Sequence, residues 1–146
     1  MLTGGAILTA FELCGERLAV AYETQDQEQE HSCFSDTTGA DLVANQLGLV
    51  AVFRAGDGAA TGGEDLLALV RSKDTAIGAH LEQCLQATLQ ALRAIPAPFD
   101  QAFRGADDAP GRRAIRAAMQ ALDQQAEAIA IAGRLLGFDL PMRPGD

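Results

Sequence analysis

Residues 110–137 read Pro-Gly-Arg-Arg-Ala-Ile-Arg-Ala-Ala-Met-Gln-Ala-Leu-Asp-Gln-Gln-Ala-Glu-Ala-Ile-Ala-Ile-Ala-Gly-Arg-Leu-Leu-Gly, and this stretch decides the fold. Within it, Ile115, Met119, Leu122, Ala126, Ile129, Gly133 and Leu136 recur at alternating steps of four and three. That spacing lines one face of an α-helix. Pro110 suits a first helical turn, where a missing N–H leaves nothing unpaired, and Gly137 supplies the stop. A long helix with a single apolar face has to bury it against other elements.

Working outward, the same logic yields its partners. Asp74 is placed to cap a helix whose stripe is Leu81, Leu85, Thr88, Leu92 and Ile95, and Pro96 ends it. Pro96-Ala-Pro-Phe-Asp100 then reads as a stiff linker, and Gln101 to Ala109 as a connector. At the start of the chain, Ile7, Phe11, Cys14, Leu18 and Tyr22 predict an amphipathic helix from about Gly5 to Glu23, with Thr3 as its cap. A second helix begins near Asp36 or Thr37, either of which can cap it, and runs to Phe53. Its expected apolar side is Leu42, Val43, Leu47, Val50 and Phe53. Ala55 to Gly63, rich in glycine, is a loop, and a short helical piece follows from Glu64 to Val70. No strand-like alternation competes with these helices. The expectation is an all-α, up-and-down bundle of four long helices plus a short one, forming one domain over residues 1–146.

Composition agrees with that class. The 146 residues are 48% hydrophobic and only 5% aromatic, without tryptophan, so they can build a core but favour helices over sheets. The net charge of -9, with Lys73 the single lysine, argues against a nucleic-acid partner, whose phosphates such a chain repels. No apolar run is long enough to span a membrane, and Met1 to Ala10 has neither the basic region nor the cleavage site of a signal peptide. Cys14, Cys33 and Cys84 show no metal-finger spacing. Cys14 falls on an apolar stripe, as a buried small hydrophobe would.

The least ordinary segment lies between the first two helices. Thr24-Gln-Asp-Gln-Glu-Gln-Glu-His-Ser-Cys-Phe-Ser-Asp36 has no apolar period, and from Glu23 to Asp41 six acids stand without one Lys or Arg. Like charges so crowded repel unless protons, cations or partner groups relieve them. His31 with Asp26, Glu28 and Glu30 is the best candidate cluster, because imidazole and carboxylate suit iron or zinc. The competing explanation is a structured loop in which His31 and Ser32 satisfy backbone groups and cap a helix. Ser32 and Ser35 lack the glycine elbow of a hydrolase nucleophile, and capping by Ser35 or Asp36 explains that pattern more simply.

Phe11-Glu-Leu-Cys-Gly-Glu-Arg17, the segment Asp26 to Asp36, and Ala94-Ile-Pro-Ala-Pro-Phe-Asp100 together resemble the imelysin-like, M75 peptidase family, specifically its C-terminal half. The resemblance implies an all-helical protein exported to the periplasm or cell envelope and associated with iron uptake. It also implies that Glu12, Glu16, Arg17, Asp26, Ser32, Ser35 and Asp36 belong to a ligand-binding surface, with Glu28, Glu30 and His31 as metal donors. The family hallmark Gly-x-His-x-x-Glu belongs to the other half and does not occur in this chain. Gly78-Ala-His80-Leu-Glu82 has different spacing, and on a helix His80 and Glu82 point roughly 200° apart.

Two functions follow as expectations. One is an envelope module whose acidic loop helps hold a metal ion or metal-bearing ligand, iron or zinc being the candidate ions. The other is a metal-dependent peptidase, of which this chain carries only part of the ligand set. A third possibility is a fragment whose exposed apolar surface needs an N-terminal partner half or a second copy of itself.

Overall fold

A computed structural model describes residues 2–54 and 65–140 of the protein; the predicted loop Ala55 to Gly63, together with Glu64, lies outside the described residues. The chain opens with α1 (Leu2–Ile7), a π-helical stretch (Leu8–Ala19) and α2 (Val20–Thr24), which run on as one N-terminal helix. After a single 3-10 turn (Gln27–Gln29) come α3 (Thr38–Phe53), α4 (Leu66–Lys73), α5 (Thr75–Arg93), α6 (Phe99–Ala102) and α7 (Pro110–Leu135). Among the described residues there is no strand, and the fold is the expected all-α bundle.

Two apolar clusters fix the directions of the helices. One joins Leu2 and Ala6 to Leu49 and Phe53 of α3, Leu81 and Leu85 of α5, and Ile129 and Ala132 of α7. The other joins Leu13 and Leu18 to Leu42, Leu92, Ile115 and Leu122. Rising numbers in the N-terminal helix and α5 therefore meet falling numbers in α3 and α7. The four long helices run up, down, up and down.

Local chemistry sets the boundaries. Asp65 and Asp74 accept from the N–H groups of Ala68 (3.1 Å) and Ile77 (2.9 Å), so α4 and α5 each begin on a carboxylate cap. At the far end of α7, Gly137 takes φ 85. There the N–H of Phe138 reaches Gly133 O (2.9 Å) and that of Gly137 reaches Arg134 O (3.0 Å), a Schellman closure.

Four expectations need correction. The first helix is not α-helical throughout, and a π-helix bonds i to i+5, so its turns are wider. Its buried positions are Leu2, Gly5, Ala6, Thr9, Leu13, Cys14, Leu18 and Ala21, so Cys14 and Leu18 of the expected stripe are buried but Thr9 and Leu13 join them, while Phe11 turns outward at 38% exposure. In α3, Gln46 and Leu49 point inward and Leu47 is exposed. Thr3 lies inside α1 and is not its cap. Finally, Phe99–Ala102, expected as linker and connector, is a short helix whose Ala102 backbone packs directly on Gly111.

Candidate functional site

The N-terminal helix ends on a firm anchor. Gln25 adopts a left-handed conformation (φ 53), and its side-chain amide pairs with the Gly105 backbone through two bonds of 3.2 and 3.0 Å. Beside it, the buried Arg112 guanidinium lies 3.8 Å over the Tyr22 ring and donates to Tyr22 O and Phe103 O. The acidic loop departs from this clamp between the first helix and the α6–α7 connector.

The loop is then knotted onto the start of α3. Asp26 accepts from Glu28 N (3.1 Å) and begins the 3-10 turn. Glu30 turns inward to 5% exposure, where its Oε2 accepts from Thr38 Oγ1 at 2.9 Å. Thr38 Oγ1 in turn accepts from Ser32 N. Ser32 Oγ donates to Asp41 Oδ2 at 2.5 Å, and Thr37 Oγ1 donates to the same oxygen at 2.9 Å. Ser35 bonds Ser32 O and pairs with Thr37, while Asp36, at φ 52, accepts from Gln27 Nε2. Backbone groups outside the helices are thereby paired by Asp26, Thr38 and Ser35, not by His31 and Ser32 as the structured-loop reading expected. Thr37 occupies the N-cap position of α3, yet its hydroxyl donates to Asp41 and caps no N–H.

The electrostatics of the knot are split. Ser32 and Thr37 hold the Asp41 carboxyl below its usual range, helped by the nearby His31 and Arg17. Burial pushes Glu30 the other way; the Thr38 bond opposes that shift, Asp100 and Asp36 reinforce it, and Arg104 opposes it. Glu30 Oε1 is buried without a hydrogen-bond partner.

Three separate segments meet at this end of the bundle. From the π-helix comes Arg17, paired with Glu12 at 3.4 Å and within electrostatic reach of Asp41. From the far side comes the proline-rich linker. Asp36, Val43, Leu92, Arg93, Pro96 and Phe99 are among the residues lining a cleft of 330 Å³ between it and the start of α3.

The candidate residues therefore divide. Ser32, Ser35, Asp36 and Glu30 are bound into the knot, and Glu12 and Arg17 flank it. Asp26, Glu28, His31 and Glu16 are exposed, and among the described residues the side chains of Glu28 and His31 make no hydrogen bond. Glu28, Glu30 and His31 do not converge: among the described residues no three His, Cys, Asp or Glu side chains are grouped to hold a metal ion. The residues present thus do not form a ready iron or zinc centre by themselves. Ser32 bonds a carboxylate and has no imidazole partner, so no nucleophile is activated there. Elsewhere, Glu82 is held by Arg54 and Arg71 while His80 is exposed, which keeps the false hallmark apart. Cys14 is buried beside Asp123, with burial as the main cause and the carboxylate as the second, and its thiol is pushed up to about 12.

Sequence reasoning missed Asp41 and Thr38 as members of this site. Both stand in the first turn of a predicted helix, but their partners Glu30 and Ser32 lie eight and nine residues back, beyond any local pattern. Asp100 and Arg104, which act on Glu30 from α6 and the residues after it, had no local signal.

An up-and-down helical bundle with a polar loop knotted over one end defines the class. Within it, the chain belongs to the imelysin family: the model of that family, peptidase M75, matches residues 1–129, which include all three converging segments. None of the curated proteins matches this chain significantly.

Proposed function

We propose that this chain is an imelysin-like module of the cell envelope, serving iron or metal uptake by offering its acidic loop as one wall of a binding site for a metal-bearing ligand. The observation that carries this reading is the division of labour within residues 26–41. Ser32, Thr37, Thr38 and Asp41 spend their polar groups on holding the loop. Glu28 and His31 are exposed on that rigid frame with no protein partner among the described residues. An imidazole and a carboxylate carried on a held backbone suit a borderline metal, the remaining coordination coming with the ligand or from an N-terminal partner half. Exposed donors on an ordered backbone, not a closed cage, are what the frame provides.

The family match supports the module and its envelope association. The peptidase alternative needs a water-activating metal with several protein ligands, and the geometry of this chain favours binding over catalysis.

The test compares iron and zinc binding by the purified chain with that of a Glu28→Gln/His31→Ala double variant. Both residues are exposed, so the variant is expected to fold normally while losing at least tenfold in metal affinity. Equal affinity in the two proteins would remove the loop from the site. Proteolysis abolished by a chelator and by His31→Ala would instead favour the peptidase reading.

A further inference from the structure

His80 does not share a face of α5 with Glu82, which is held by Arg54 and Arg71. The residue it does meet is Cys84, four positions on and therefore one turn along the same face. The Cys84 sulfur lies 3.8 Å from His80 Nε2 and 4.0 Å from Nδ1. Among the described residues neither side chain bonds anything else. The thiol is a weak donor at that length, so the contact by itself holds little in place. His80 is exposed, whereas Cys84 is buried between α5 and the core with 6% of its surface left. An imidazole that reaches solvent thus stands over a sulfur that barely does.

We propose that Cys84 and His80 form a two-donor site for the soft monovalent ion copper(I), held between the thiolate sulfur and one imidazole nitrogen. Distance permits it. A first-row ion with a filled d shell bonds thiolate sulfur at about 2.3 Å and imidazole nitrogen at about 2.0 Å, so it fits between donors 3.8 Å apart. The two ring nitrogens are nearly equidistant from the sulfur, so the exposed ring turns about its own side-chain bond to aim one lone pair at the ion. Donor type and number then choose the metal. Thiolate selects copper(I) among the available ions. Structural zinc asks for four ligands, and among the described residues no third His, Cys, Asp or Glu joins this pair. Copper(I) forms stable bonds with two. Charge agrees with that choice. Burial, and after it the Glu127 carboxylate on α7, push the Cys84 thiol up and oppose a bare thiolate. On binding, the S–H bond breaks, its proton leaves to solvent, and an S–Cu bond forms with no change of oxidation state. One positive ion replaces one proton, so the buried sulfur never carries an uncompensated charge; a divalent ion would leave an extra positive charge there.

The experiment titrates the reduced full chain with copper(I) delivered from a chromogenic chelator, in a Cys33→Ser background that removes the partly exposed thiol. The expected result is uptake of one equivalent, with affinity lowered at least hundredfold by Cys84→Ser and at least tenfold by His80→Ala. Cys84→Ser puts a hydroxyl in a buried position, so His80→Ala is the deciding variant. It alters an exposed residue and should keep the helical signal and melting temperature of the metal-free protein. Glu28→Gln/His31→Ala should leave copper(I) affinity unchanged, which separates this site from the acidic loop. Zinc offered in place of copper(I) should bind at least a hundredfold more weakly at this pair. Failure to take copper(I) from the chelator would overturn the proposal. So would uptake indifferent to His80→Ala, uptake lost with Glu28 and His31, or zinc bound here as tightly as copper(I).

Discussion

Glu30 is surrounded by groups that pull its proton in opposite directions. Burial favours the neutral acid, Asp100 and Asp36 add to that, and the Thr38 hydroxyl and Arg104 favour the anion. The net shift is upward from the ordinary value of 4.5, so the folded protein holds this proton more tightly than the unfolded chain. The stability it contributes is therefore full below that value and is lost as pH rises through the folded value. Replacing Glu30 with Gln keeps an oxygen for Thr38 and removes the charge that burial penalises. Glu30→Gln is expected to raise the melting temperature at about pH 7, with the gain vanishing near pH 4, where the wild-type acid is already protonated. Lower stability at both pH values would mean that the ionised carboxylate is what holds the loop. Asp41 has the opposite sign: its support is present above 3.8 and fades as pH falls through its depressed folded value. At this scale the acids and His31 were visible because they are contiguous. The Ser32–Asp41 and Glu30–Thr38 bonds were not, since loops have no period from which to read a partner nine or eight residues away.

Among the elements, α5 and α7 were legible nearly to the residue, because their stripes keep the α-helical period and their ends carry a capping aspartate, a first-turn proline and a stopping glycine. The N-terminal helix was legible as a helix but not in its facing. Its residues are ordinary helix formers, and nothing in their order announces i to i+5 bonding; the π-helical stretch packs against α7. The consequence is measurable. Leu13 is fully buried and Phe11 is not, although an α-helical stripe through Cys14 and Leu18 would include Phe11. Leu13→Ala should cost roughly 3 kcal/mol in denaturant unfolding, and Phe11→Ala less than about 1 kcal/mol despite removing the larger side chain. The reverse order would show that the segment packs as a regular α-helix.

At the scale of the whole molecule, the two apolar clusters are separated by a polar layer to which all four long helices contribute. Gln46 and Gln125 pair reciprocally at 2.6 and 3.1 Å; Gln46 also donates to Leu85 O, and Gln125 to Thr9 Oγ1. Thr9 passes its own proton to Gly5 O, and Thr88 donates to Ala121 O. Gln46, Gln125, Thr9 and Thr88 are all fully buried, so the layer functions only if every amide is matched. One helix sliding by a turn against its neighbours would leave those amides facing leucines, a register lock that apolar contacts alone do not supply. Replacing one glutamine leaves the other with a buried amide oxygen unpaired and only its bond to Leu85 O or Thr9 Oγ1 kept, so Gln46→Leu or Gln125→Leu alone should each cost roughly 1–3 kcal/mol. The double variant removes both orphans and should recover most of that loss, giving a strong favourable coupling in a double-mutant cycle by denaturant unfolding. Its spectra should nonetheless broaden, because a continuous apolar core tolerates more than one register. Simply additive single losses would show that the pair does not act as a unit, and that the direction and alignment of the helices rest on the two apolar clusters by themselves.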